Sequence, residues 1–451
     1  MLSGSASQRT IRRDTRMAKC RFALALLWIG APLLFVFEAG AEEQPASVAS
    51  VYATPAAATE FSDPAAATKA WLDSVPAEKR AKSDAYFEGG YWMLLWDFLV
   101  AAVIMIFFLR SGLSVRLRNF AERTTRSRIL QTLLYAIPFL LITTVLTFPL
   151  AYYEGFVRDH VYGLSTQSFG SWLSDQAKQG AALFIALLIL LVILYGVFRR
   201  APRTWWLWAV AVIALFSMIA SFIAPVYIAP LTNKYQPLND PAVRDPILQM
   251  ARANQIPVNQ VYQFDASRQT NRVSANVSGF LGTTRIALND NLLKQCSLPE
   301  IRSVMAHEIG HYVLNHGVKL NLYLAVMNFV GFGLLYIFFN AAMRSWGTKW
   351  QLRGISDPAA LPLIILIFST FGILSTPISN SIVRITEREA DAFGLNTARE
   401  PDGFAKVALK LGTYRKLNPT PMEELIFFDH PSGRARIRMA MDWKAARLPG
   451  N

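Results

Sequence analysis

The chain has 451 residues, of which 53% are apolar and gathered in blocks, a pattern that excludes a soluble globular protein. Its formal net charge of +14 does not indicate nucleic acid, because the arginines cluster beside the apolar blocks, where they set orientation on an anionic membrane surface. Two cysteines, Cys20 and Cys296, imply no intrachain disulfide framework and exclude a cysteine metal site.

Residues 1–41 read as a secretory signal or a first span. Arg9, Arg12, Arg13, Arg16, Lys19 and Arg21 precede a short apolar run from Phe22 to Phe37, and Ala39-Gly40-Ala41 supplies a cleavage pattern. The length of the run lies between a signal core and a full span, and in both readings Glu42 ends up outside the cytoplasm. Residues 42–90 form an Ala- and Pro-rich extramembrane segment, and Glu43 to about Lys82 is expected to be loosely ordered. Four spans fall in residues 91–230, namely Tyr91–Leu109, Leu130–Tyr153, Ala181–Phe198 and Trp205–Ile228. Two more, Leu320–Ala342 and Leu361–Ile378, fall in residues 320–383.

Basic loops fix one topology. Arg110, Arg116, Arg118, Arg123, Arg126 and Arg128 follow the first span, Arg199, Arg200 and Arg203 the third, and Arg344, Lys349 and Arg353 the fifth. Loops this basic stay in the cytoplasm, which places residues 231–319 and 384–451 together on the far side.

Residues 231–319 read as a small α/β unit with a helix around Pro241–Asn254 and strands around Gln260–Phe264, Val273–Val277 and Arg285–Leu288. A helix of about twenty residues follows, with Ser297 and Glu300 as a capping box, Pro299 in its first turn and Gly317 as its stop. It carries His307-Glu308-Ile309-Gly310-His311. Histidines one turn apart share a helix face and can grip one Zn²⁺, with Glu308 beside them as the general base that takes a proton from water and delivers it to the departing amine.

Alone, this pentapeptide also occurs by chance. A catalytic zinc needs a third protein ligand, and Glu387 is the candidate, with Asp391 one turn further on the same face to fix a histidine tautomer. Without the histidines, Glu387, Arg388, Glu389 and Asp391 would read as a solvated charged run. His316 lies about 140° around a continuous helix from His311 and reads as a packing or capping residue. His430 and Arg436 are donors able to face a tetrahedral oxyanion, although spacing alone leaves a structural role open.

Taken together, these residues resemble the CAAX prenyl protease family of integral-membrane zinc metalloproteases. The likeness runs from Phe148-Pro149 with Tyr152, Phe156, Gly163 and Gln167, through Ile228-Ala229-Pro230-Leu231, Lys234, Pro237 and Leu238. It continues through Arg285-Ile286, Leu292-Leu293, His307 to His316, Arg384 to Asp391, and His430-Pro431 with Arg436-Ile437. The resemblance implies zinc on His307, His311 and Glu387, Glu308 as base, Asp391 behind the ligands, and His430 and Arg436 as transition-state contacts. It also implies an edge-strand asparagine that binds substrate backbone, matched by Asn276, although Val277 and Ser278 stand where the family has Ala and Tyr. Val383 and Ile385 likewise replace the family's usual Ser and second Arg. The implied fold is a ring of seven helices around an intramembrane chamber, capped by the zinc domain.

The expected fold class is a multi-spanning α-helical membrane protein with a small α/β zincin-type (gluzincin) metalloprotease domain. The expected activity is peptide-bond hydrolysis by an integral-membrane zinc metalloendopeptidase with one Zn²⁺ per chain, similar to C-terminal CAAX-type processing. Its partners would be peptide or protein substrates, lipidated or membrane-embedded, and membrane lipids, with no nucleic acid. The signal and basic loops suggest a bacterial inner membrane with the zinc domain outside the cytoplasm, whereas eukaryotic relatives hold theirs in the cytosol. Quality control of membrane proteins is the rival activity. A scaffold or transporter with a relict zinc site is disfavoured by the few buried charges in the spans.

Overall fold

A computed structural model describes residues 63–279 and 284–447. The expected signal or first span lies outside the described residues.

The described part of the chain opens with α1 (Pro64–Asp73), where a loosely ordered segment was expected. The Ala- and Pro-rich composition hides a helical face: Ala67, Trp71 and Val75, at a spacing of four, are buried, and the Asp63 side chain caps the first turn through Ala65 N. Next come α2 (Ala77–Arg110), α3 (Leu113–Thr124), α4 (Arg128–Tyr152), α5 (Phe169–Arg200) and α6 (Trp205–Ile223). The α/β unit comprises β1 (Tyr235–Pro237), α7 (Pro241–Ala253), β2 (Val261–Phe264), β3 (Ala275–Ser278), β4 (Arg285–Asn289), α8 (Asp290–Gln295) and α9 (Leu298–Val313). Then follow α10 (His316–Trp346), α11 (Leu361–Ala398), α12 (Pro401–Leu411), α13 (Pro421–Phe427) and α14 (Gly433–Arg447).

Among the described residues, six helical segments are long and apolar enough to cross a membrane: α2, α4, α5, α6, α10 and α11 with their short extensions. Each packs on the next in chain order, and α11 packs back on α2, so these six already close a ring. α2 begins well before the expected Tyr91 because its polar first half belongs to the extramembrane part, where the Tyr91 ring stacks on Phe427 of α13.

The side-chain core of the ring is lopsided. It is built from residues 101–109, 135–140, 187–198, 205–213, 332–342 and 359–368, including Phe108, Tyr135, Phe139, Tyr195, Trp205 and Phe368. Those stretches all lie towards the ends that carry the arginine-rich connections. A second core belongs to the α/β unit with Ile286, Leu288, Met305 and Ile309, and a third joins α1 to α12 and α14.

The sheet order is β1-β2-β4-β3, with β2 and β4 parallel and β3 antiparallel on β4, so β3 is an edge. β1, pairing Tyr235 with Phe264, was not foreseen because it spans only three residues and carries Pro237. Against the sheet lies α9, whose capping box from Ser297 and Glu300 is formed as expected. It is shorter than expected and stops before Gly317. Asn315 adopts a left-handed conformation at φ 55°, which ends α9 and starts α10 at His316.

Candidate active site

Two helices build the site. α9 contributes His307, Glu308 and His311, all buried, and α11 crosses it with Glu387 and Asp391, both fully buried. Two glycines permit the close crossing. A Cβ on Gly394 would stand 3.1 Å from the backbone nitrogen of His307, and one on Gly310 would stand 3.1 Å from the Phe393 ring. Gly403 at the start of α12 likewise lets that helix approach Pro299.

The three expected ligands converge. His307 Nε2 and His311 Nε2 are 3.0 Å apart, and each lies 3.4 Å from a different oxygen of Glu387. A tetrahedral ion with bonds of about 2.0–2.1 Å separates its ligand atoms by roughly 3.3 Å, a spacing close to each of these contacts. Both Glu387 oxygens are buried yet accept no hydrogen bond. A buried carboxylate in that state calls for a cation, and the nitrogen-nitrogen-oxygen donor set suits a divalent metal. Among the described residues, His307, His311 and Glu387 are the group of metal-ligating side chains that meets this geometry.

Behind each histidine stands an orienting partner. The His307 Nδ1–H donates to Asp391 Oδ1 at 2.8 Å, which leaves Nε2 to face the other ligands, as the sequence suggested for Asp391. Asp391 also accepts from Arg436 Nη2 at 2.5 Å. The guanidinium of Arg436 is thus bound to the carboxylate behind a ligand, a contact that spacing did not foresee, while the residue still lines the cavity over the site. For His311 the partner is His316, whose Nδ1 lies 2.8 Å from His311 Nδ1 and whose Nε2 lies 3.0 Å from Glu389 Oε2. Lys319 completes that chain at 2.9 Å from Glu389. His316 does not share the ligand cluster, as expected. It is nevertheless no mere packing residue, and the reason is the break at Asn315, which swings it back over His311.

Electrostatics separate the titratable groups. Burial alone would depress His307, but its hydrogen bond to Asp391 and the negative charge of the neighbouring Glu387 outweigh it and push its pKa up to about 10. Burial dominates at His311 and lowers it to about 3. Glu308 is also raised by burial, to about 7, with no nearby group bonded to it tightly enough to reverse that. A carboxyl poised near neutrality beside the cavity suits proton transfer in both directions.

His430 closes the cavity from the loop before α14, with Nδ1 2.8 Å from Asp429 and Nε2 3.2 Å from Glu387 Oε2. The loop is held by Arg384, which donates to the backbone carbonyl of Glu424 at 2.7 Å and to that of Phe428. Val273 and Ser274, which lead into the edge strand, and its first residue Ala275 also line the cavity. Asn276 follows them on β3, paired in register with Ala287, and its side chain accepts from Ser278 Oγ at 3.1 Å.

Known proteins are similar to this chain over most of its length. Residues 62–234 match the family model described as CAAX prenyl protease N-terminal, five membrane helices, and residues 237–444 match Peptidase family M48. The metalloprotease YhfN of Bacillus subtilis is 32% identical over 333 residues, covering 73% of this chain and 78% of that protein. The chain belongs to the CAAX prenyl protease family, peptidase family M48. This M48 chain is therefore an integral-membrane metalloendopeptidase. The CAAX prenyl protease 1 homolog of Arabidopsis thaliana is 30% identical over 323 residues, 69% of this chain and 74% of the relative. CAAX prenyl protease 1 of Saccharomyces cerevisiae is 27% identical over 319 residues, 67% and 70% of the two chains. In fold, the M48 chain is similar to the crystal structure of S. mikatae Ste24p, with a TM-score of 0.69 at 20% identity over 95% of this chain and 100% of that one.

Proposed function

We propose that the chain is a zinc metalloendopeptidase whose catalytic unit is a gluzincin-type α/β domain, with His307, His311 and Glu387 as ligands. The observation that carries this reading is the buried Glu387 carboxylate, which accepts no hydrogen bond and faces two histidine Nε2 atoms at 3.4 Å. Zinc at these side chains would polarise the scissile carbonyl and acidify a water.

The chain's own residues do the rest. Glu308 takes the proton of the attacking water and returns it to the leaving nitrogen, a cycle that a pKa of about 7 permits without a large penalty in either direction. Asp391, itself held by Arg436, fixes the tautomer of His307. His430 turns Nε2 towards the cavity while Asp429 accepts from its Nδ1–H, and in its doubly protonated form the ring is the donor we assign to the developing oxyanion. Arg436, expected to share that task, acts in this reading mainly through Asp391. The substrate lies along β3 as an added strand, with Asn276 contacting its backbone, a role supported by the edge position of β3 beside α9.

For substrate we infer C-terminal processing of lipidated, CAAX-type chains, the activity named in the relatives. The basic connections gather at the end of the ring opposite the site, which supports a bacterial inner-membrane protein with its catalytic end outside the cytoplasm. The test is purified protein in detergent, with metal content measured beside cleavage of a farnesylated CAAX peptide. Stoichiometric zinc in wild type and Glu308→Gln, with a single cut in wild type only, is the expected outcome. Heterogeneous cleavage of unfolded membrane proteins without cleavage of that peptide would replace the substrate assignment and leave the metal site intact.

A further inference from the structure

At the end of the ring farthest from the catalytic site lies a second polar cavity of about 130 Å³. Four arginines line it, Arg118 from α3, Arg128 from α4, Arg199 from α5 and Arg353 from the connection before α11, together with Glu122 and Asp357. Both acids are already engaged. Arg118 Nη1 is 2.7 Å from Asp357 in an almost fully buried pair, and Arg353 Nη1 is 2.7 Å from Glu122. Among the described residues Arg128 and Arg199 have no acidic partner: Arg128 meets the Gln131 amide oxygen at 3.4 Å, and Arg199 donates to Thr132 Oγ1 at 2.6 Å. The cavity therefore presents two uncompensated guanidinium groups.

Orientation in a membrane needs positive charge but no cavity. Here a buried ion pair, Arg118–Asp357, anchors the wall, with Arg118 also donating to the carbonyl of Gln351 at 3.0 Å. Two unpaired arginines from neighbouring spans share the space it leaves. Facing like charges repel unless an anion sits between them, and guanidinium forks match phosphate oxygens in pairs. On the measure by which one water needs about 10–15 Å³, the volume is ample for a group the size of phosphate.

We propose that this cavity is a phosphate-binding site, with Arg128 and Arg199 as its anion ligands. Its position at the tips of α4 and α5 and the start of α11 puts it at headgroup depth, so the favoured source of the phosphate is an anionic phospholipid. The proposal is independent of the peptidase reading.

The test uses the full chain in nanodiscs and in detergent, with native mass spectrometry counting retained phosphatidylglycerol against phosphatidylcholine. Arg128→Gln with Arg199→Gln is compared with Arg344→Gln with Lys349→Gln, which removes equal charge from the same end but outside the cavity. Helix content by circular dichroism verifies folding, and Arg128→Gln alone serves as the milder variant because that side chain is exposed. The expected result is at least a tenfold loss of retained phosphatidylglycerol in the cavity variant and little change in the control. Inorganic phosphate binding with the same arginine dependence, but no lipid preference, would keep the phosphate site and change its source. Equal loss in both double variants, or no binding of either probe by wild type, would overturn it.

Discussion

His316 holds His311 from behind, Nδ1 to Nδ1 at 2.8 Å, and is itself held by Glu389 at 3.0 Å. Only one arrangement of protons satisfies this chain with His311 Nε2 facing the ligand cluster: His311 Nδ1–H donates to His316, and His316 Nε2–H donates to Glu389. Replacing His316 by Ala should weaken metal affinity by ~10–100-fold while leaving helix content unchanged. Glu389→Gln, at a half-exposed position, should cost less. Metal competition against a chelator measures both.

Glu308→Gln preserves shape and removes the base. Peptidase kcat should fall by at least ~10²–10⁴-fold with metal content unchanged, measured on the same preparation by elemental analysis and peptide cleavage. Retained activity in pure protein would refute the assignment.

The metal-free site should exchange protons for metal. His307 is pushed up to about 10, so between pH 7 and 9 it is imidazolium in the apoprotein, whereas His311, lowered to about 3, is already neutral. A metal binds only neutral imidazole, so loading releases about one proton, and apparent affinity should rise about tenfold per pH unit in that range. The raised His307 also stabilises the apo fold. That contribution is full below its unfolded value, near 6.5, and is lost as pH climbs towards about 10. Calorimetry in buffers of differing ionisation enthalpy reads the proton count; a count of zero would contradict the protonation state.

Arg436 and Asp391 form a buried pair, with side chains 9% and 0% exposed. Arg436→Ala strands the carboxylate and should destabilise the protein by about 3–5 kcal/mol, visible as a lower Tm. If Arg436 works chiefly through Asp391, Arg436→Lys should recover stability and metal affinity together.

Gly394→Val should separate α11 from α9. A Cβ there already meets the His307 backbone at 3.1 Å, so the branched side chain forces the helices apart and moves Glu387 from the histidines. We expect loss of about 1–3 kcal/mol of stability and a disproportionate loss of metal, whereas Gly394→Ala should be milder.

The sequence made the convergence of His307, His311 and Glu387 legible because H-E-x-x-H fixes two side chains by helical geometry alone, and the return of Glu387 to the same side follows from counting spans. The strand that became β3 was legible around Val273–Val277, close to the observed Ala275–Ser278, whereas its edge position was implied only by the family resemblance. What escaped was whatever depends on a break in periodicity. His316 was misplaced because extrapolating α9 through Asn315 assumes a conformation that asparagine readily abandons at φ 55°. α1 was hidden because alanine and proline dilute its apolar face, although Ala67, Trp71 and Val75 mark it. The link from Arg436 to Asp391 joins helices far apart in the chain, and no local pattern encodes it.

The lopsided packing of the ring sets a limit on traffic. Among the described residues, Phe108, Phe139, Trp205 and Phe368 fill the space between spans at the arginine end. Substrate and products are therefore expected to use the catalytic mouth or a gap between neighbouring helices rather than the arginine end.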